Sequence, residues 1–464
     1  MTQKRASFGS KFGILMAAAG SAVGLGNIWR FPIETGQHGG AAFLLVYIAA
    51  IALLGIPLMV AEFFVGRNAR TNAAHAYRKL SSHPVWRNIG FIGAISGSLI
   101  LCYYVVVSGW VLKYFVVSLD GTLGGLFRPG DASGYESLFA DFVSSSWSPL
   151  LYMALFVLMC HFTITAGVRQ GIEKLSKIFM PALFVILIVL VGFSLFAPGA
   201  QEGLSFLFHP DFSKLTTRTV LSAIAQAFYS LSLCMGCLCT YASYFGKNVN
   251  LVNSALSISV IDTLVAIMAG LIVFPAVFSS GINLESGPSL AFIALPGAFH
   301  QAFSAVPWLS WLVSTLFYAL LVLAALTSAI SLYEVPTAYI HETWHIRRSR
   351  AALLVTVVCL LLGAVCSLSM GILGDIHLFG KTIFDFLDYF CTTIMMPLCG
   401  ILIAIFVGWI VKRDVFLKEV NTFGPNPTDA AQAGRRWSTV ILFLLRWVAP
   451  VLLLLAFLGV LGII

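Results

Sequence analysis

Residues 20–27 read Gly-Ser-Ala-Val-Gly-Leu-Gly-Asn, which places three glycines and no charge in the middle of an apolar stretch long enough to cross a membrane. Arg30 follows just beyond this stretch. A helix that breaks here leaves backbone N–H and C=O groups without helical partners, and lipid offers none. Such a segment is tolerated only where it is buried in protein and a polar group occupies it. An ion or a small charged solute is the natural occupant.

Composition places the whole chain in a membrane. Its 464 residues are 59% hydrophobic and only 10% charged, whereas soluble domains carry ~25% charged residues. Windows of about 20 mostly apolar residues predict eleven spans. The nine cysteines all lie inside predicted spans, and their odd number and apolar surroundings favour packing residues over disulfides or metal ligands.

Basic residues set the predicted orientation. Lys and Arg are concentrated in the loops on the same side as Met1, so the positive-inside rule predicts a cytoplasmic N-terminus and, after eleven spans, a C-terminus outside. The expected location is the plasma membrane, which is the inner membrane in a bacterium. The net charge of +8 is therefore a topology signal and gives no support for nucleic-acid binding.

A second interruption stands in the sixth span, at residues 229–237 (Tyr-Ser-Leu-Ser-Leu-Cys-Met-Gly-Cys). Tight helix packing through small residues would explain either interruption alone. Two interruptions in matching positions, together with buried charges, favour a secondary transporter with its site at the membrane midplane. We therefore predict an all-α polytopic protein in one domain, 1–464, with two inverted five-helix repeats at 11–195 and 216–412 and an eleventh span at 438–462.

Four ionisable residues lie within or at the edge of predicted spans: Arg30, Glu62, Asp262 and Asp388. Each costs about 2.5 to 3.5 kcal/mol on insertion scales and needs a partner. Asp262 has no basic residue on neighbouring turns, so a bound cation could keep it ionised. Na⁺ prefers oxygen ligands, which Asn27, Ser230 and Thr263 also offer. A protonated Asp262 that is hydrogen-bonded across helices is the alternative.

Several motifs follow one another along most of the chain: residues 20–32 (GSAVGLGNIWRFP), 39–43, 103–104, 230–232, 240–244 and 326–328. Together they closely resemble the neurotransmitter:sodium symporters, and most of all the bacterial amino-acid transporters with eleven spans. The resemblance implies a sodium-coupled symporter that works by alternating access, and no enzyme activity.

The resemblance implies two sodium sites. The first would use a carbonyl, three side chains and the substrate carboxylate, with protein ligands from Ala22, Asn27, Ser230 and Asp262. The second would use three carbonyls and two hydroxyls, from Gly20, Val23, Ala324, Thr327 and Ser328. Without the resemblance, the hydroxyl pair at 327–328 would be read as bonding back to its own helix.

An α-amino acid fits the implied substrate site. Amides at Leu25 and Gly26 begin the half-helix after the break, where the positive dipole end favours a carboxylate. By resemblance, the Tyr104 hydroxyl joins them, and carbonyls of Ala22, Tyr229 and Ser232 accept from the amino group, with Ser230 shared with the first sodium site. The substrate side chain would face mostly apolar residues: Val23, Ile100, Tyr229, Met235, Ser328 and Leu332. A hydrophobic or aromatic amino acid is therefore expected.

Gates are implied on both sides. Arg30 and Asp388 would pair across the outer vestibule, while Arg5 and Glu342 would pair on the inner side near Tyr244. Glu342 stands where the family usually has Asp. Glu62 is expected to hold the unwound backbone of the sixth span.

The residues around Asp262 indicate whether the protein requires chloride. Animal members bind this anion near the positions of Tyr47, Gln226 and Ser230 and of a serine that is Ala266 here. Asp262 replaces an Asn of those members and already supplies a negative charge, so we predict chloride independence.

Other functions share parts of this pattern. A sodium-dependent amino-acid sensor, or a channel-like protein whose broken helices line a pore, would carry the same motifs. An enzyme would need a nucleophile with a base, or clustered metal ligands, whereas the nine histidines lie chiefly in loops and at span ends. The expected partners are an amino-acid substrate and membrane lipids; the oligomeric state stays open.

Overall fold

The computed structural model describes residues 7–128, 133–280, 291–421 and 430–460. Nine helices in these ranges are long and apolar enough to cross a membrane. A pair of helices that bends by 48° at residues 23–25 raises this number to ten. A second interrupted pair, Thr217–Ser230 with Cys237–Ala242, lies where the sixth span is predicted. The elements at the eleven predicted spans, numbered 1 to 11 below, are in order Lys11–Ala22 with Gly26–Gln37, Ala41–Ala69, Pro84–Leu119, Ser148–Thr165, Val168–Ser194, Thr217–Ser230 with Cys237–Ala242, Leu251–Ser280, Pro307–Thr343, Arg348–Leu368, Ile383–Ile410 and Trp437–Gly459.

Short elements lie between the spans. The helices are Ala73–Ala76, Tyr77–Lys79, Thr122–Leu126, Ser133–Ser144, Ala200–Phe208, Phe212–Lys214, Ala294–Ala302 and Arg413–Asn421, and the helix of span 11 already begins at Ala430. Strands β1 (His377–Leu378) and β2 (Lys381–Thr382) form one antiparallel hairpin before span 10.

The break in span 1 covers fewer residues than the glycine-rich motif. The first helix ends at Ala22, Val23 is extended (φ −70°, ψ 107°), and the second helix begins at Gly26. The Val23 N–H still donates to the carbonyl of Ala19 at 2.7 Å. The Asn27 side chain accepts from the Gly24 N–H at 3.0 Å, so a side chain of the motif itself satisfies one of the amides that the break frees.

The break in span 6 is longer and more strained. Ser232, Cys234 and Gly236 have φ values of 52°, 65° and 77°, a left-handed region that costs non-glycine residues free energy. Glu62 of span 2 supports this segment, because its Oε1 accepts from the Cys234 N–H at 2.6 Å. Both halves of span 6 pack on span 2, and the first helix of span 1 packs on spans 5, 7 and 8. The two breaks therefore lie inside the protein, as unwound backbone at membrane depth requires.

Candidate functional site

A buried carboxylate lies beside the two breaks. Asp262 of span 7, Asn27 of span 1, Ser230 of span 6 and Tyr47 of span 2 are all fully buried. Asn27 Nδ2 donates to Asp262 Oδ1 at 2.7 Å. The hydroxyls of Ser230 and Tyr47 donate to Asp262 Oδ2 at 2.8 and 3.1 Å. The ion pairs that the described residues form within 4.0 Å do not include Asp262. The structure therefore brings together the side chains predicted for the first sodium site around an acid that lacks a basic partner in the described ranges.

Asn27 is oriented differently from the prediction. Its Nδ2 faces Asp262 and Ser230, while its Oδ1 accepts from Gly24 N. An amide that binds a cation must present its oxygen. Rotation of this amide would exchange its contact with Gly24 for one with the ion.

A second group of oxygens joins span 1 to span 8. Ser328 Oγ donates to the carbonyls of Val23 at 3.1 Å and Gly20 at 3.3 Å. Thr327 Oγ1 donates to the carbonyl of Ala324 at 3.0 Å. Gly20 lies against Thr327, since a Cβ on Gly20 would be 3.2 Å from the Thr327 Cβ. The five residues predicted for the second sodium site thus converge in the fold.

A cavity of about 360 Å³ reaches three of the predicted substrate residues, Leu25, Tyr104 and Tyr229. Leu25 N–H lies 3.4 Å from the Tyr104 hydroxyl, and the Tyr229 ring covers Gly26. The other predicted side-chain contacts are buried and are not among the residues that line the cavity: Val23, Ile100, Met235, Ser328 and Leu332. Ser232 Oγ donates to the carbonyl of Ser21 at 2.7 Å, which ties the two breaks together directly.

Sequence reasoning missed the aromatic wall of this cavity. The wall includes Trp29, Trp110, Phe139 and Phe384. These residues come from spans 1 and 3, from the Ser133–Ser144 helix and from span 10, and each stands in an apolar segment where an aromatic residue is unremarkable. Only the packing of the spans shows that they face one space.

Arg30 and Asp388 both line the cavity, but the predicted pair is not closed. Arg30 Nε instead lies 3.4 Å from Glu34 Oε1, and its guanidinium stacks over the Tyr229 ring at 4.8 Å. Glu34 also accepts from the Ser222 hydroxyl. The prediction overlooked Glu34, which is available to Arg30 because it stands one helical turn further along the same helix.

The opposite side of the protein holds a network that the prediction did not include. Tyr244 OH donates to Glu334 Oε1 at 2.7 Å, and Arg348 binds both oxygens of this fully buried carboxylate. Glu342 accepts from Asn72 N at 2.8 Å and from Thr71 Oγ1 at 3.0 Å. Arg5, its predicted partner, lies outside the described residues. A buried acid in span 8 and a nearby arginine were visible in the sequence and could have indicated this pair.

Aromatic packing adds to the closure on this side. The Phe8 ring lies 6.0 to 6.3 Å from the rings of Tyr241, Tyr244 and Phe245. Glu173 of span 5 accepts from Gly9 N at 2.6 Å. The cavity is thus accessible from the side of Arg30 and shut on the side of Tyr244.

Comparison with known proteins agrees with this architecture. A model of the sodium:neurotransmitter symporter family matches residues 5–125 and 137–460. The uncharacterized sodium-dependent transporter YhdH of Bacillus subtilis (strain 168) is 38% identical over 462 residues, 99% of each chain. An uncharacterized sodium-dependent transporter of Haemophilus influenzae is 33% identical over 432 residues, 90% of this chain and 92% of that one. The crystal structure of MhsT in complex with L-phenylalanine has a TM-score of 0.88 and 41% identity, covering 98% of this chain and 100% of the other.

Proposed function

This chain belongs to the sodium:neurotransmitter symporter family, and we propose that it is a sodium-coupled symporter of a hydrophobic or aromatic L-amino acid with two Na⁺ sites. The observation that carries the proposal is the buried Asp262 between two broken helices, surrounded by Asn27, Ser230 and Tyr47 and without a basic partner in the described ranges. A carboxylate in that setting needs a cation to stay ionised. The sodium-dependent relatives and the phenylalanine complex of MhsT support the same function.

The substrate carboxylate would bind at the start of the second half-helix of span 1. The amides of Leu25 and Gly26 and the positive end of the helix dipole favour an anion there, and Tyr104 supplies a hydroxyl. The amino group would bind the carbonyls of Ala22, Tyr229 and Ser232. The bound carboxylate would complete the first sodium site, so that ion and substrate stabilise each other by direct contact.

Apolar surroundings favour an apolar substrate side chain. Ile100, Met235 and Leu332 are buried, and a flexible Met235 can repack around side chains of different size. Binding would draw the Tyr229 and Tyr104 rings over the substrate and bring Arg30 to Asp388, which lines the same cavity. Release would then require the Tyr244 network on the other side to open, with Arg5 and Glu342 as the implied inner gate. We infer a cytoplasmic N-terminus and an outer C-terminus from the distribution of basic residues.

Chloride independence is supported by the hydrogen bonds to Asp262. The hydroxyls of Tyr47 and Ser230 donate to this carboxylate, so the donors that hold chloride in animal members already have an anionic partner. A bound chloride beside Asp262 would place two negative charges together in a buried site.

Two sodium ions would drive strong accumulation. Each ion contributes about 2.3 kcal/mol across ~100 mV, and a tenfold concentration gradient adds about 1.4 kcal/mol. Two ions therefore give roughly 7.4 kcal/mol, enough for up to about 10⁵-fold accumulation, whereas one ion supports only about 10²- to 10³-fold. The accumulation ratio in sealed vesicles distinguishes the two stoichiometries.

The test begins with thermal unfolding of the purified protein against the twenty amino acids in Na⁺ and in K⁺. Stabilisation confined to Na⁺ and to apolar amino acids is expected, since a ligand stabilises the state that it binds. Uptake of the best ligand into vesicles follows, with chloride replaced by gluconate in a parallel arm. Binding without accumulation would identify a sensor, and flux without saturation or exchange would identify a channel. Uptake that stops in gluconate would refute chloride independence.

A further inference from the structure

Spans 10 and 11 meet at a cluster of one arginine and two tryptophans that takes no part in the transport site. Arg446 Nε donates to the carbonyl of Gly408 at 2.7 Å, and Trp409 Nε1 donates to the carbonyl of Arg446 at 2.9 Å. The rings of Trp409 and Trp447 meet edge to face, with centroids 4.7 Å apart. We name Arg446, Trp409 and Trp447 the Arg446 cluster.

The Arg446 cluster lies near the end of span 10, and Arg446 itself stands nine residues after Trp437, where span 11 begins. Gly408 stands two residues before the end of span 10 at Ile410, and the exposed, charged Lys412, Arg413 and Asp414 follow. Arg446 is level with Gly408 because its guanidinium reaches that carbonyl. Tryptophans concentrate at this depth, where hydrocarbon gives way to headgroups.

Close packing fixes the arginine in place. Gly408 has no side chain, and a Cβ there would lie only 3.0 Å from the Cα of Arg446. The guanidinium carbon lies 5.2 Å from the centre of the Trp409 ring. A guanidinium has five N–H donors. Within the described part of the chain, Arg446 uses one of them, in its hydrogen bond to the carbonyl of Gly408. The remaining donors suit an anion such as phosphate, which can accept two parallel hydrogen bonds from a guanidinium.

The surface around the cluster faces lipid. Trp409 and Trp447 are 49% and 53% exposed, and an apolar strip continues along span 11 through Val451, Leu454 and Leu455, each about half exposed. In a single chain whose span 11 crosses the membrane, acyl chains cover this strip.

We propose that the Arg446 cluster binds the phosphate of an anionic phospholipid, with the two tryptophans flanking its glycerol region and its acyl chains lying along Val451 and Leu455. Lys412 and Arg413 add positive charge nearby, and Asp414 partly offsets it. This excess of positive charge favours an anionic over a zwitterionic headgroup. The site is independent of the proposed transport function.

The probe is phosphatidylglycerol, titrated into the detergent-purified full chain and compared with phosphatidylcholine of the same acyl chains. Bound lipid is counted by native mass spectrometry, and thermal unfolding is measured in parallel. We expect tighter binding and greater stabilisation by phosphatidylglycerol. Arg446→Gln should weaken this binding about tenfold, because a hydrogen bond between charged groups is lost, and Arg446→Lys should restore part of it. Arg218→Gln, at an exposed arginine where span 6 begins, is the matched control.

Arg446→Gln also removes the bond to Gly408, so the decisive quantity is the difference between the two lipids within each variant. Trp447→Leu leaves that bond intact and should weaken retention of both lipids. An unchanged preference for phosphatidylglycerol in Arg446→Gln would overturn the proposal, as would the absence of any preference in the unmodified protein. A change in oligomeric state in Arg446→Gln, with the preference for phosphatidylglycerol intact, would also overturn it. A second copy of the chain would then cover the Arg446 cluster.

Discussion

At Asp262, an expectation from the sequence meets an observation from the structure. Its position in an apolar span predicts a need for a cation, and the structure adds donors from Asn27, Ser230 and Tyr47. These donors stabilise the ionised form but do not neutralise its charge. One cation and a zwitterionic amino acid can therefore bind beside it with a total charge of zero.

Asp262→Asn should replace the fixed negative charge of the carboxylate by the charge of a bound chloride ion. The Tyr47 and Ser230 hydroxyls would lose an anionic acceptor, so sodium-driven uptake should become dependent on chloride and fall about tenfold in gluconate. Asp262→Ala should abolish accumulation. Uptake is measured in vesicles, with Asp211→Asn at an exposed loop acid as the control. Equal uptake by Asp262→Asn in both buffers would contradict the role assigned to this carboxylate.

Arg30 forms its ion pair with Glu34 and not with its predicted partner Asp388. In Glu34→Gln the weakened pair should release the guanidinium to Asp388 and favour closure of the cavity. The contribution of such a partly exposed pair is below about 1 kcal/mol, which corresponds to a shift of at most about fivefold. A cysteine placed at Met370, in the cavity wall, should react correspondingly more slowly with a charged thiol reagent. A rate equal to that of Glu202→Gln, an exposed control, would argue against this role.

The broken helices are the elements on which the site depends. In span 6, three residues in the left-handed region alternate with ordinary ones, and Glu62 accepts from the N–H of the middle one, Cys234. Its neighbours in spans 2 and 3 pack closely against this segment. Gly93 and Gly97 of span 3 approach it so closely that a Cβ on Gly97 would meet the carbonyl of Met235.

Gly236→Ala should destabilise the protein by about 1 to 3 kcal/mol. The residue has φ 77°, and a Cβ would lie 3.2 Å from Ala73 and 3.3 Å from Val335. Gly192→Ala in span 5 is the matched control, since nothing lies within 4 Å of its added Cβ, and it should be neutral or stabilising by up to about 1 kcal/mol. Thermal unfolding in detergent measures both. Equal effects would show that the backbone at 236 carries no special strain.

At the scale of the whole molecule, the two sides of the site differ. Arg30 and Asp388 stand apart across an accessible cavity, while Glu334, Arg348 and Tyr244 join spans 8, 9 and 6 on the far side. Alternating access requires these two conditions to exchange. The buried Glu334 makes the closed side stable, because its charge is fully paired there.

Arg348→Gln should open that closed side. It leaves the Glu334 carboxylate without its cation, which costs about 3 to 5 kcal/mol for a buried pair. Hydrogen exchange should then rise at residues 7–16 and 240–246, and uptake should fall. Arg350→Gln, two residues on and exposed, is the control. Tyr244→Phe, which removes only one hydrogen bond, should give a smaller change of the same kind. If hydrogen exchange in both variants equals that of Arg350→Gln, the network does not close this side of the protein.

The amino-acid sequence by itself determined the spans, the two breaks, the buried Asp262 and the hydroxyl pair at 327–328. These features depend on hydropathy, on glycine and on the cost of burying charge, all of which act over a few neighbouring residues. The resemblance of these motifs to a known family then extended the prediction to ligand sets that converge in the fold.

Only the tertiary structure decided which partners the long side chains choose. Arg30 lies beside Glu34 while Asp388 stands apart, Tyr244 binds Glu334 while Glu342 binds Asn72, and aromatic residues from distant segments line one cavity. A long charged side chain can reach several groups, and the relative placement of whole helices selects among them. That placement depends on packing between segments far apart in the chain, which local patterns do not encode.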